Sequence, residues 1–303
     1  MSRPLALLML ISTTMLWGFA FVAQKSAMDG MGPLTFAGVR YVLGASVLLP
    51  VALWELRRRR ERGGVALTRR QWWLIGVLCV VFFLGSILQQ WGLTATTVTN
   101  GGFLTGLYAF FTPLFGWLLF RTRPHPIVIV SVPLALLGLF YLNGGGLDPL
   151  GFGDMLVILC ALFWGLHVLL LGSVSLETGM PITISVGTFA FAGIVSVVLA
   201  PVLEAPTLEA IMSGWVEILY AGILSTAVAF TFQAIAQQYV PPANVALVLA
   251  SEGLFAALGG ALLLGERLPP VGYFGAGLLL LSIVLVEVVP ALLARNKTLA
   301  PIS

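Results

Sequence analysis

Leu16-Trp17-Gly18 and Phe163-Trp164-Gly165 set the same Trp-Gly pair in two apolar runs, 147 residues apart from position 17 to position 164. The turn that follows each is also of one kind, Met31-Gly32-Pro33 in the first case and Gly179-Met180-Pro181 in the second, and each turn leads into another apolar run. Later, Thr97-Val98-Thr99-Asn100-Gly101 is matched by Pro242-Ala243-Asn244-Val245-Ala246, both opening a helix of small residues. Several features recurring in one order mark an internal duplication. The halves run over about 1–145 and 150–295, with a cytoplasmic tail at 296–303.

The runs around these motifs are too apolar for water. Of 303 residues, 59% are hydrophobic and 9% charged, with a mean hydropathy of +1.04, whereas a soluble domain carries about 25% charged residues. A helix of roughly 20 apolar residues crosses the hydrocarbon core. Apolar runs and their Pro, Gly or polar punctuation give spans near 4–24, 33–55, 71–92, 98–120, 126–143, 153–173, 181–203, 213–237, 241–264 and 269–293. The expectation is an all-α integral membrane protein of ten transmembrane helices, joined by short connections so that neighbours pack antiparallel. The first run, Leu5 to Val22, lacks a small-residue cleavage pattern and is kept as a span rather than a signal peptide.

Basic residues set the orientation. With both termini cytoplasmic, Arg3, Arg57, Arg58, Arg59, Arg60, Arg62, Arg69, Arg70, Arg121, Arg123, Arg295 and Lys297 all face inside. Lys25 and Arg267 then lie outside and Arg40 within a span, which satisfies the positive-inside rule. Each half holds five spans, so the second enters the membrane with opposite polarity. Such inverted repeats place a substrate site near the midplane between the halves. The implied location is a bacterial inner, or plasma, membrane crossed many times.

At these motifs the sequence resembles the drug/metabolite transporter superfamily, in its EamA-like branch of ten-helix carriers. The resemblance covers almost the whole chain: Trp17-Gly18, Thr99-Asn100-Gly101-Gly102-Phe103-Leu104-Thr105-Gly106-Leu107-Tyr108 into Thr112-Pro113-Leu114-Phe115, and Ser251-Glu252-Gly253-Leu254-Phe255 into Leu262-Leu263-Leu264-Gly265-Glu266. Members of that branch often have Glu-Pro at Glu252-Gly253 and a Gly-Glu ending where this chain has Phe120-Arg121. The resemblance implies efflux or exchange of amino acids, nucleobases, sugars or amphipathic drugs by alternating access through a central cavity. Within the branch, length and aromatic content look most like the YddG-type exporters of amino acids, aromatic ones included.

A carrier needs groups that hold the substrate and groups that change state, so polar residues that a membrane would reject are the candidates. Glu252 is the sharpest, because a mid-span carboxylate costs about 2.5–3.5 kcal/mol on insertion scales. It carries a proton, meets an ammonium, or makes a structural hydrogen bond. His167 lies three residues after Trp164, on nearly the same helical face, and is a second candidate for proton coupling or a neutral hydrogen-bonding residue. Arg40 meets a substrate carboxylate or serves structure, and the structural reading is favoured. Gln89 and Gln90 in the third span and Gln233, Gln237 and Gln238 in the eighth are candidate cavity amides, some of them helix glue instead, with Gln89 and Gln233 preferred for the cavity. Trp17, Trp164, Tyr108 and Phe111 are candidate aromatic walls, whereas Trp54, Trp72, Trp73 and Trp215 at span ends suit an interfacial belt. Gly101, Gly102, Thr105 and Gly106, and Ala256, Ala257, Gly259 and Gly260, have the spacing of close helix packing. Pro113 and Pro133 are candidate hinges.

No His-Glu-x-x-His helix, paired-Asp motif, Gly-x-Ser-x-Gly elbow or phosphate loop with Lys is present. Cys79 and Cys160 sit alone in apolar runs, so no metal or cofactor is expected. Nor is a nucleic acid, because the positive charge sits at helix ends. The partners expected are a small-molecule substrate and membrane lipid. The competing class is a membrane-embedded enzyme using Glu252 and His167 on a lipid.

Overall fold

Proline starts five of the helices, at Pro33, Pro126, Pro181, Pro242 and Pro270. There its fixed φ is already helical and its missing N–H would have had no partner. The structure is a computed structural model that describes residues 1–142, 144–146 and 150–298, the side chains of 287, 288 and 290–298 excepted. The side chains of Arg295 and Lys297, and the last five residues of the expected tail, therefore lie outside the described residues.

The elements are α1 (Arg3–Ala27), α2 (Pro33–Glu61), α3 (Arg69–Thr94), α4 (Val98–Thr105), α5 (Tyr108–Phe120), α6 (Pro126–Leu142), α7 (Phe152–Thr178) and α8 (Pro181–Leu203). There follow α9 (Leu208–Ser213), α10 (Trp215–Leu219), a π-helical segment (Tyr220–Ala229), α11 (Phe230–Ala236), α12 (Pro242–Leu249), α13 (Glu252–Leu263) and α14 (Pro270–Thr298). Among the described residues there is no strand. Among the described residues, eight spans are long and apolar enough to cross a membrane, with Val98–Phe120, Trp215–Ala236 and Pro242–Leu263 each taken as one. Pro126–Leu142 and Pro270–Val286 are shorter apolar helices.

Polar contacts between helix ends define two faces of the bundle. At one face, Glu204 beyond α8 accepts from the Leu34 and Thr35 amides at 2.7 and 2.8 Å and from the Thr35 hydroxyl at 2.8 Å. Glu55, near the end of α2, does the same at the other face for the Thr183 amide and hydroxyl, both at 2.7 Å, and for the Ile182 amide at 3.3 Å. Each of these two helices thus ends in a glutamate that caps the start of the other. A carboxylate suits that place because the first amides of a helix have no internal acceptor and carry the positive end of its dipole.

Glu266, after α13, caps α4 through the Val98 and Thr99 amides at 3.0 and 3.1 Å and through the Thr99 hydroxyl. Asp154 at the start of α7 accepts from Thr96 at 2.7 Å and from the Asn100 amide. Lys25 closes the same face by donating to the Leu93 carbonyl at 2.8 Å. Arg3, the Arg57–Arg70 group, Arg121 and Arg123 occupy the opposite end, termed here the basic face.

The belt between the faces is apolar and exposed: Leu8, Trp117, Ile129, Val198 and Leu262 among others. Trp54, Trp72, Trp73 and Trp215 are likewise exposed at span ends. Some buried hydroxyls bond back into their own helices, as Thr178 does to the Val174 carbonyl and Ser185 to the Pro181 carbonyl, which satisfies them without water. Close crossings fall on glycines. A side chain at Gly275 would strike the α6 backbone at Gly138 and Leu142, and one at Gly102 would strike Ala256.

Two expectations require correction. The spans at 98–120 and 241–264 are not continuous helices: the first breaks at Gly106-Leu107 and the second at Ala250-Ser251. Pro113 lies inside α5, where it lacks the amide that would bond the Ala109 carbonyl one turn back. No proline stands near the second. The eighth span is also irregular, with a ten-residue π segment in its middle.

The Glu204 cap sets a stability test. Glu204→Ala removes three hydrogen bonds from the start of α2 and should cost about 1–2 kcal/mol, read as a Tm several degrees lower in detergent. Glu209→Ala, at an exposed glutamate on α9, should leave Tm unchanged. Equal losses from the two would show that the cap holds nothing.

Candidate functional site

Both helix breaks fall at the middle of the bundle, and the polar residues beside them face the same space. Thr105 ends α4, Tyr108 begins α5 and Glu252 begins α13. All three line a central cavity together with Trp17, Phe21 and Gln24 of α1, Arg40 and Tyr41 of α2, Gln89 of α3 and Trp164, His167 and Val168 of α7. Ser225, Phe230 and Gln233 complete it. The space left inside the wall is small in this conformation, about 40 Å³ open to the centre of a water molecule.

Rings build most of that wall. Phe82 is wholly buried and packs 5.5 Å from Trp164, 5.4 Å from His167, 5.3 Å from Phe230 and 5.1 Å from Tyr41, centroid to centroid. Trp17 lies 4.5 Å from Phe230. Their indole nitrogens are spoken for: Trp164 Nε1 donates to Gln89 Oε1 at 2.7 Å, and Trp17 Nε1 donates to the Ser225 carbonyl at 3.0 Å. Ser225 lies in the π segment, whose wider turn departs from the α-helical bonding pattern, and Thr13 similarly reaches the Ala229 carbonyl at 3.1 Å. The polar edges of both indoles are thereby tied to the bundle.

The remaining polar atoms of the cavity are not tied. Gln24 Oε1, Arg40 Nε, Thr105 Oγ1, Tyr108 Oη, His167 Nδ1, Glu252 Oε1 and both amide atoms of Gln233 are buried without a hydrogen-bond partner in the protein. Leaving such a group unsatisfied costs about 1–3 kcal/mol, so their convergence on one space is a strong constraint on what fills it. Arg40 Nη2 donates to the Tyr41 hydroxyl at 2.6 Å, and its guanidinium lies 4.5 Å above the Tyr41 ring and 5.3 Å above Phe36. No carboxylate among the described residues pairs with it.

Of the candidates read from sequence, the structure gathers Trp17, Gln89, Tyr108, Trp164, His167, Gln233 and Glu252 around one cavity. Phe111 stands apart. It packs at the contact of α5 with α7, stacked 6.1 Å from Phe115 and against Gly165. Gln90 and Gln237 are helix glue, donating to the Gln24 and Val168 carbonyls. Arg40 lines the cavity, where a structural reading had been favoured. Tyr41, Phe82, Phe189 and Phe230 were not singled out, since one more aromatic in an apolar run carries no local signal of depth. Among the described residues there is no group of His, Cys, Asp and Glu able to hold a metal ion.

A second space opens at the basic face. A cleft of ≈ 470 Å³ lies between α5, α7 and the start of α12, lined by Thr112, Phe120, Arg123, Ser173, Pro241 and Asn244 among others.

Comparison with known proteins gives one family. The EamA-like transporter family matches residues 4–144 and again residues 151–288. An uncharacterized transporter of Archaeoglobus fulgidus is 29% identical over 276 residues, covering 90% of this chain and 82% of its own. The S-adenosylmethionine/S-adenosylhomocysteine transporter of Chlamydia muridarum is 25% identical, covering 92% and 91%. The threonine/homoserine exporter RhtA of Escherichia coli is 26% identical, covering 89% and 86%.

Gln233 separates a working polar group from a structural one. It is wholly buried with neither amide atom bonded, so Gln233→Leu keeps the volume, removes the desolvation cost and should leave Tm unchanged or raised. Transport by the same variant should fall at least tenfold. A variant that is destabilised but transports normally would show that the amide serves packing alone.

Proposed function

This chain belongs to the EamA-like transporter family, and we propose that it exports or exchanges amino acids, aromatic ones included, by alternating access through the central cavity. It is a multi-pass transporter of the inner membrane, not an enzyme, and its cargo is a small molecule. The reading places the basic face in the cytoplasm, in keeping with the positive-inside rule, and treats residues 1–145 and 150–295 as two repeats of opposite polarity.

The observation that carries it is the convergence of unbonded polar atoms on a space walled by rings. Amides and hydroxyls offer donors and acceptors to a polar head, and the aromatic wall offers faces to an apolar or ring-bearing side chain. The names of the relatives agree in one chemical respect. Threonine, homoserine, S-adenosylmethionine and S-adenosylhomocysteine all carry an α-amino acid group, so the shared feature of those cargoes is the head and not the side chain.

In this reading Trp17, Trp164 and Tyr108 form the walls of the substrate space, and Gln89 and Gln233 supply its amides. Glu252 and His167 are the groups through which a proton gradient acts, because each is ionisable, lies mid-span and keeps a free polar atom in the cavity. Phe111 supports the α5–α7 contact instead.

Uptake of radiolabelled amino acids by purified protein in liposomes, with and without an imposed pH gradient, tests the proposal. Saturable movement of neutral or aromatic amino acids is the expected result, and Glu252→Gln should abolish the part that the gradient drives. An unchanged gradient response in that variant would take Glu252 out of coupling. A folded protein that moves no amino acid, but does move a nucleobase, a sugar or a cationic drug, would sink the amino-acid reading.

A further inference from the structure

The cavity holds two unpaired charged side chains of opposite sign. Arg40 is 4% exposed and Glu252 is 3% exposed, and both line the same wall. Neither is within ion-pair distance of the other or of any other described residue of opposite charge. Each also keeps a polar atom without a partner, Nε of Arg40 and Oε1 of Glu252. A guanidinium stays cationic in proteins, and burying an uncompensated charge costs far more than burying a neutral polar group. With one cation and one carboxylate, the wall is compensated by an occupant that brings both signs.

The depths of the two groups suit a single small occupant. Arg40 stands seven residues after Pro33, where α2 begins, and is therefore roughly 10 Å below the face that carries Glu204. Glu252 meets α1 at Gly18, nine residues before α1 ends at Ala27, which puts it roughly 14 Å below the same face. The two backbones therefore stand at similar depth, within about one helical turn of each other along the bundle. The rings of Trp17, Trp164 and Phe230 line the same space.

We propose that Arg40 and Glu252 form a zwitterion clamp, in which the Arg40 guanidinium takes the substrate carboxylate and the Glu252 carboxylate takes its ammonium, while the aromatic wall takes the side chain. The inference rests on the amino-acid reading above and adds which residues read the head group. It makes the cavity selective for molecules bearing both charges over those bearing either alone. Tyr41 has a positioning role, since its hydroxyl and ring hold the guanidinium while Nε stays free.

The test is isothermal titration of the purified protein with phenylalanine, phenethylamine and 3-phenylpropionate, which share a ring and differ only in the head. Wild-type protein should bind phenylalanine at least tenfold more tightly than either single-charge compound, as expected for loss of one charge-assisted hydrogen bond. Arg40→Gln should erase the preference over phenethylamine and keep the preference over 3-phenylpropionate. Glu252→Gln should do the reverse, and Arg40→Lys, which keeps the charge, should retain part of the preference.

Wild-type protein that transports phenylalanine yet binds all three compounds alike would overturn the clamp and leave the carrier assignment standing. So would Gln variants, shown folded by circular dichroism, that weaken all three to the same degree. Wild-type protein that neither binds nor transports phenylalanine, but moves a cargo of another class, would overturn the amino-acid reading and the clamp with it.

Discussion

A backbone amide in hydrocarbon has nowhere to turn for a partner except the protein, and the rest of this structure is arranged around that fact. Within the spans the helix itself supplies the partner. At their ends it does not, and there the chain spends most of its few carboxylates. Glu55, Glu204 and Glu266 each cap the first turn of a helix other than their own. A cap that comes from another helix also fixes the two relative to one another, so a local hydrogen-bonding need becomes a tertiary tie. Charge is scarce in this chain at 9%, and what there is sits mostly where it joins elements.

The same rule limits where the helices may be irregular. Backbone that leaves the helical pattern at membrane depth is tolerated where it is buried in protein or lines a polar space. Both breaks and the π segment obey this, since Thr105, Tyr108, Glu252 and Ser225 all lie on the cavity wall. Short-range bonds cover the interruptions: the Gly106 amide reaches the Gly102 carbonyl at 3.1 Å, and the Leu254 amide reaches the Ser251 carbonyl at 3.0 Å. Irregular backbone and unsatisfied side chains are thus concentrated in one place, where a polar occupant compensates both.

Much of this was legible in the sequence because the bilayer simplifies the code. Run length and punctuation locate the spans, and the paired Trp-Gly motifs point to Trp17 and Trp164, which do meet one cavity. Ionisable residues in mid-span are rare enough that Glu252, His167 and Arg40 stand out by cost alone. What escaped were matters of helix phase and continuity. Phe111 and Tyr108 are one turn apart on the same helix and differ in which neighbours they meet, which composition does not encode. The break before Glu252 has no proline to announce it. Phe82, at the centre of the ring cluster, reads like any other apolar residue of its span because depth in a bundle depends on the neighbouring helices.

The two faces of the bundle differ in how the starts of the broken spans are capped. At the face of Glu204, the end of α13 supplies Glu266 to the first amides of α4, with Asp154 and Lys25 adding ties to α7 and α3. At the basic face the corresponding meeting is between the end of α5 and the start of α12. There α5 stops at Phe120 and is followed by Arg121 in the left-handed conformation, φ 53°. A guanidinium has only donors, so it offers nothing to the amides of α12, whose start has no side-chain cap. The repulsion between a cation and the positive end of a helix dipole acts in the same sense. The uncapped start of α12 borders the cleft that opens at this face.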